Sequence, residues 1–190
     1  RCRALGQACQ LLNPGTGEER CAWVNPKDVV SATIMPWIDA LKPQGLSYIP
    51  DSTIRPPNRG VKIISNKKDG CIEAYTKLEF GVILNEPGQC KVDYNMGKNF
   101  DEMKYYVGGS NLHRYNHTQK MKLPGPAENL SDEFAPELQN DGTFSLYVRC
   151  RDANGNENLG EMVATFCVEA GPDTTAPEII GTSIPSSSPV

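Results

Sequence analysis

Hydrophobic and polar positions alternate most strictly between Phe144 and Cys150. Phe144, Leu146, Val148 and Cys150 fall on one side, and Ser145, Tyr147 and Arg149 on the other, the period of a half-buried strand. The segment Asp152-Ala153-Asn154-Gly155-Asn156-Glu157-Asn158 is dense in residues that tolerate left-handed backbone or bond their own main chain, which predicts a tight turn. A second apolar run, Met162 to Val168, then returns, so a hairpin is expected. Upstream, Leu78, Phe80, Val82 and Leu84 alternate with Glu79, Gly81 and Ile83, and Cys90, Val92 and Tyr94 alternate with Lys91 and Asp93. Asn85-Glu86-Pro87-Gly88 between them has turn composition, which predicts two separate strands. Val61 to Ile64 and Cys71 to Tyr75 are expected as short edge strands. From Asn95 to Asp141 the pattern weakens. Tyr105 to Val107, His113 to Tyr115 and Thr118 to Leu123 are expected strands, followed by a long connection in which Ser131 can cap a helical turn.

Residues 1–59 carry no clean period and are rich in turn formers, with one short helical turn expected after Pro36. They are expected as a cysteine-containing extension or small lobe, 60–171 as the main domain, and 172–190 as a linker or donor strand. The 190-residue chain carries a net charge of −4, with no basic stripe and no apolar run long enough to span a bilayer. Nucleic-acid binding and a membrane span are therefore not expected. Seven cysteines, none in a Cys-x-x-Cys pair, point to disulfides in an oxidising compartment rather than zinc, with buried reduced cysteines as the competing reading. The sequons Asn116-His117-Thr118 and Asn129-Leu130-Ser131 agree with export and make Asn116 and Asn129 candidate glycosylation sites.

The run Tyr147, Val148, Cys150, Asp152, Gly155 and Asn156 resembles the last hairpin, strands F and G, of immunoglobulin-like or fibronectin type III-like repeats of bacterial and archaeal cell-surface proteins. Leu78 and Phe80, then Asn85-Glu86-Pro87, then Cys90, Val92 and Tyr94 are similar to the B and C strands of those domains. The resemblance implies an all-β, immunoglobulin-like β-sandwich with a disulfide-tied N-terminal extension, in an extracellular setting. It implies no specific activity.

Strand parity suggests the cysteine pairing. Cys90 and Cys150 each share a face with core residues, whereas Cys71 and Cys167 lie on the opposite faces of their strands. Bridges Cys90–Cys150 inside and Cys71–Cys167 outside are expected, each worth roughly 4 to 5 kcal/mol in the chain-entropy account. The inner bridge departs from the immunoglobulin pattern, which joins strands B and F. Cys9 with Cys21 is the expected third pair, leaving Cys2 for a partner outside this segment, an intermolecular bond to a neighbouring chain, or a free state.

Asp152, Asn154, Asn156 and Asn158 have the spacing of oxygen ligands in a calcium loop, but Glu157 stands where an EF-hand needs glycine, so an ordinary Asn/Gly turn is favoured. His113 and His117, four apart with no third ligand, are expected to be solvated. Tyr105, Tyr106 and Tyr115, with Trp23 and Trp37, could present a platform for a sugar ring, although packing explains them at less cost. No pattern supports catalysis, and no cofactor is expected. The expected function is an extracellular structural or adhesive surface protein whose partners are copies of itself, adjacent repeats of a longer chain, or surface glycans. One form is a filament subunit that donates its C-terminal tail, with Ile179, Ile180 and Ile184, as a strand. The competing class is a carbohydrate-binding module of a secreted enzyme.

Overall fold

A computed structural model describes residues 2–125 and 142–169 in full and, between them, the backbone of 129–132 and 135–139. The protein is all-β. Its strands are β1 (Cys9–Leu12), β2 (Arg20–Trp23), β3 (Ile34–Pro36), β4 (Leu46–Pro50), β5 (Arg59–Ser65), β6 (Lys77–Asp93), β7 (Tyr105–Tyr106), β8 (Arg114–Lys122), β9 (Asn129–Asp132), β10 (Ala135–Gln139), β11 (Thr143–Asp152) and β12 (Met162–Cys167). Three short 3-10 turns, Cys2–Leu5, Ile38–Ala40 and Val107–Gly109, complete the elements. No helix among the described residues is long and apolar enough to cross a membrane.

Eight strands form one sheet, with the order β3-β6-β11-β12-β5-β4 and with β7 and β8 also on β6. β1–β2 and β9–β10 are separate antiparallel hairpins. β11 and β12 form the expected hairpin, with Phe144 opposite Phe166 and Val148 opposite Met162. Their alternating apolar side chains, together with Ile63, Leu78, Phe80, Val82 and Leu84, make the core, and the Phe144 and Phe166 rings stack at 5.4 Å. β5 joins β12 in parallel, a pairing that requires the long excursion through β6 to β11.

The two strands expected around Asn85-Glu86-Pro87-Gly88 are one. β6 runs for 17 residues without turning. Its first half pairs with β8 and β3, the β3 contacts ending at Leu84. Its second half pairs with β11, starting at Gly88 opposite Asp152. Pro87 falls in the gap between these ladders, where its missing N–H deprives no partner. The register against β8 slips across the same gap, between Ile83 and Gly88. A Cβ at Gly88 would stand 2.9 Å from the Arg151 carbonyl oxygen, so only glycine lets β11 close on β6 here. Tyr94, expected on the core face, lies beyond the end of β6 and is exposed.

The expected boundary near residue 60 is not a structural one, because β3 and β4 already belong to the eight-stranded sheet. Of the first 59 residues, only the part up to β2 stands apart from it as a hairpin. The expected edge strand Cys71 to Tyr75 is reduced to a single bridge, Ile72 beside Val168. Ser131 and Asp132 lie in β9, and the rest of the helical turn expected after Ser131 falls outside the described residues.

Candidate functional site

The β1–β2 hairpin presents two different faces. Leu12 is buried, and its cross-strand partner Arg20 places its guanidinium over the Tyr115 ring of β8 at 5.9 Å. Asn13, at a left-handed φ of 55°, clamps the hairpin to the sheet. Its Nδ2 donates to the His113 carbonyl at 3.0 Å, and its Oδ1 accepts the His113 N–H at 2.8 Å. The Arg114 guanidinium closes on the Glu18 carboxylate beside it, and that contact holds Glu18 below the usual carboxylate range.

The outward face gathers sulfur. Cys9 stands opposite Trp23 and Cys21 opposite Leu11, so Cys9 and Cys21 are diagonal neighbours on one face, and the 3-10 turn carries Cys2 over them. The Sγ atoms of Cys2, Cys9 and Cys21 all lie within 4.8 Å of one another. The bridge joins Cys2 to Cys21, with 5.4 Å between the Cα atoms, and Cys9 is the buried free cysteine. This corrects the expected Cys9–Cys21 pair and the expected intermolecular role of Cys2. The hairpin register places residues 9 and 21 two positions out of opposition, while the turn preceding β1 delivers Cys2 directly onto Cys21. Trp23, Leu11 and Leu5 are exposed around this cluster. Elsewhere the structure joins Cys90 to Cys150, directly opposed on β6 and β11, and Cys71 to Cys167.

The calcium-spaced residues serve a different purpose. Asp152 Oδ1 accepts the N–H groups of Asn154 at 2.8 Å and Asn156 at 2.9 Å, and its Oδ2 accepts Asn156 Nδ2 at 2.9 Å. The three asparagine side chains then reach across to residues 25–32. Asn154 Nδ2 donates to the Asn25 carbonyl at 2.7 Å, Asn156 Nδ2 to the Asp28 carbonyl at 3.0 Å, and Asn158 Nδ2 to the Ala32 carbonyl. Asn158 Oδ1 also accepts the Cys150 N–H at 3.0 Å. The period-2 spacing that suggests metal ligands therefore aligns three amides along the irregular segment 25–32, which includes a turn at 26–27. Glu86, on the core-facing parity of β6 close by, has its carboxyl pushed up by burial and by the charges of Asp152 and Asp28.

His117 is buried rather than solvated. Its Nε2 lies 3.0 Å from the Gly88 carbonyl and 3.1 Å from that of Arg114, so it carries the proton there, and burial lowers its pKa to about 4. Its parity places it inward on β8, beside the register slip. His113 is half-buried and is lowered by burial in the same direction.

The aromatic residues are not assembled into a platform. Tyr105 is buried, and Tyr106, on the other face of β7, packs edge-on against buried Phe100 at 6.3 Å, with Lys91 Nζ 5.0 Å from its ring. Trp37 lies over Gly81, Tyr115 lies under Arg20, and Trp23 is exposed on the hairpin face opposite to Arg20. Asn116 is exposed on β8. Asn129 begins β9, and its side chain lies outside the described residues, as do Ile179, Ile180, Ile184 and the rest of 170–190. Comparison with protein-family models, with curated proteins and with solved structures finds no match to this chain.

Proposed function

We propose that the chain is an extracellular structural or adhesive domain that resists tension. The observation that carries this reading is the Cys71–Cys167 bridge, whose partners are 96 positions apart. Tension entering before Cys71 and leaving after Cys167 passes through the bridge and bypasses β6 to β11 entirely. The same clasp is held without the covalent bond. Ile72 N–H donates to the Cys167 carbonyl at 2.8 Å, Glu169 N–H donates to the Ile72 carbonyl at 2.8 Å, and Lys67 pairs with both Glu73 and Glu169. Three bridges support an oxidising, extracellular setting, and exposed Asn116 supports glycosylation there.

An immunoglobulin-like sandwich is part of the same proposal. The β11–β12 hairpin supports it, while the single strand β6 in place of separate B and C strands is a departure. A filament formed by strand addition from the tail extends the reading into residues outside the description. Single-molecule stretching between handles at the chain ends tests the mechanical claim. Without reductant, the chain between the bridged cysteines, 96 positions apart, contributes no extension. After reduction the contour grows by roughly 330 Å, at 3.3–3.6 Å per residue. Release of that length without reductant would overturn the reading.

A further inference from the structure

We propose that Cys2, Cys9 and Cys21 form a thiol–disulfide exchange site whose substrate class is a disulfide-bearing partner. A free thiol stands beside an existing bridge, with all three Sγ atoms within 4.8 Å of one another, so attack needs no strand to move. The three sulfurs also differ in exposure. Cys2 and Cys9 are buried at 7% and 8%, while Cys21 is exposed. A cavity lined by the three cysteines with Arg3, Gln7 and Glu19 opens onto them.

The first step is internal. The Cys9 thiolate attacks the Cys2 sulfur, the Cys2–Cys9 bond forms, the Cys2–Cys21 bond breaks, and Cys21 leaves as the thiolate. No oxidant or reductant is consumed. The effect is to move the single free thiol from a buried position to an exposed one. In the second step the Cys21 thiolate attacks a disulfide of the partner, forming a mixed disulfide and releasing the partner's other sulfur as a thiolate, again with electrons balanced. Four residues of 3-10 turn carry Cys2, and its swing from Cys21 to a diagonal neighbour on the same hairpin face is short. Attack in the opposite sense, on Cys21, would release the buried Cys2 and deliver nothing to the surface.

Oxidised glutathione serves as the probe. The whole chain, unreduced, is incubated with it at mildly alkaline pH, quenched with acid, and mapped by mass spectrometry of unreduced peptides. The expected product carries one glutathionyl group on Cys21 together with a Cys2–Cys9 linkage, and the Cys9→Ser chain forms no adduct. A glutathionyl group on Cys9 with Cys2–Cys21 intact would overturn the proposal. So would an adduct on Cys2, an equal yield in the Cys9→Ser chain, or no adduct in the folded chain when the urea-unfolded chain takes one.

Discussion

Removing the outer bridge by Cys71→Ala with Cys167→Ala isolates a covalent contribution, because both residues are half-buried and the surrounding hydrogen bonds remain. In isolation, a loop of 96 positions corresponds to about 4.7 kcal/mol of unfolded-state entropy. The Cys90–Cys150 bridge, spanning 60, lies inside it and persists in the unfolded chain. It short-circuits 60 of the 96, leaving an effective loop of 36, for which the same relation gives about 3.8 kcal/mol. Urea unfolding of the unreduced protein, followed by tryptophan fluorescence, reads this directly. With a slope near ~2 kcal/mol per molar, the midpoint falls by about 2 M. In a background already lacking Cys90 and Cys150 the loss rises to about 4.7 kcal/mol. A loss below roughly 2 kcal/mol in the otherwise intact protein would refute the entropic account of the clasp.

Acid destabilisation should be traceable to His117. Its folded pKa of about 4 lies below the unfolded value near 6.5, so the unfolded state binds more protons between the two. Stability is complete above about pH 6.5 and falls as pH drops through this window, by about 3 kcal/mol at pH 4. His117→Gln, which keeps a donor for the Gly88 carbonyl, should flatten that part of the urea-midpoint profile, and an unchanged slope would count against it. Asn158→Ala removes the bonds to Ala32 and to the Cys150 N–H and should cost about 1–3 kcal/mol. Hydrogen exchange should rise in residues 25–34 while the β11–β12 ladder stays protected, and uniform loss of protection would show that the amides do not act locally. Because the Asp152 oxygens are already occupied by Asn154 and Asn156, thermal midpoints in calcium and in chelator should coincide. A rise of several degrees with calcium would restore the metal reading.

Much of the core was legible because burial follows parity. Phe144 to Cys150 alternates strictly, Leu78 to Leu84 does so apart from Gly81 and Ile83, and the structure buries Phe144, Leu146, Val148, Cys150, Leu78, Phe80, Val82 and Leu84 as that parity expects. The turn at Asn85-Glu86-Pro87-Gly88 misled because its composition is that of a turn, yet the core-facing positions stay even-numbered from Leu78 through Leu84 to Cys90 and Val92. A single unbroken strand keeps that parity, which was the available signal. The site at Cys2, Cys9 and Cys21 was hidden for another reason. The sequence carries no parity signal for these three cysteines, whereas register decides which sulfurs meet, and a 3-10 turn outside any periodic element brings Cys2 to Cys21. The asparagine ladder was visible as a spacing but not as a function, because the segment it holds, residues 25–32, has no periodicity of its own.

These features converge on β6. Its first half is flanked in the sheet by β3, whose preceding segment the three asparagines hold in place from the β11–β12 loop, and its second half is bonded to β11 through Cys90–Cys150. The strand therefore joins two pairings that could otherwise slide past each other at the register slip near Pro87. β6, β7, β8 and β11 lie inside the loop closed by Cys71–Cys167, whereas β1 to β5 precede it, β1 and β2 with their own bridge and free thiol. A domain arranged this way separates a covalently closed body, from which tension is diverted, from an appended hairpin whose sulfur chemistry can change without disturbing that body. The two proposals therefore act on different parts of the chain. Mutating Cys9 should leave the stretching record of the body unchanged, and removing the Cys71–Cys167 bridge should leave exchange at Cys21 intact.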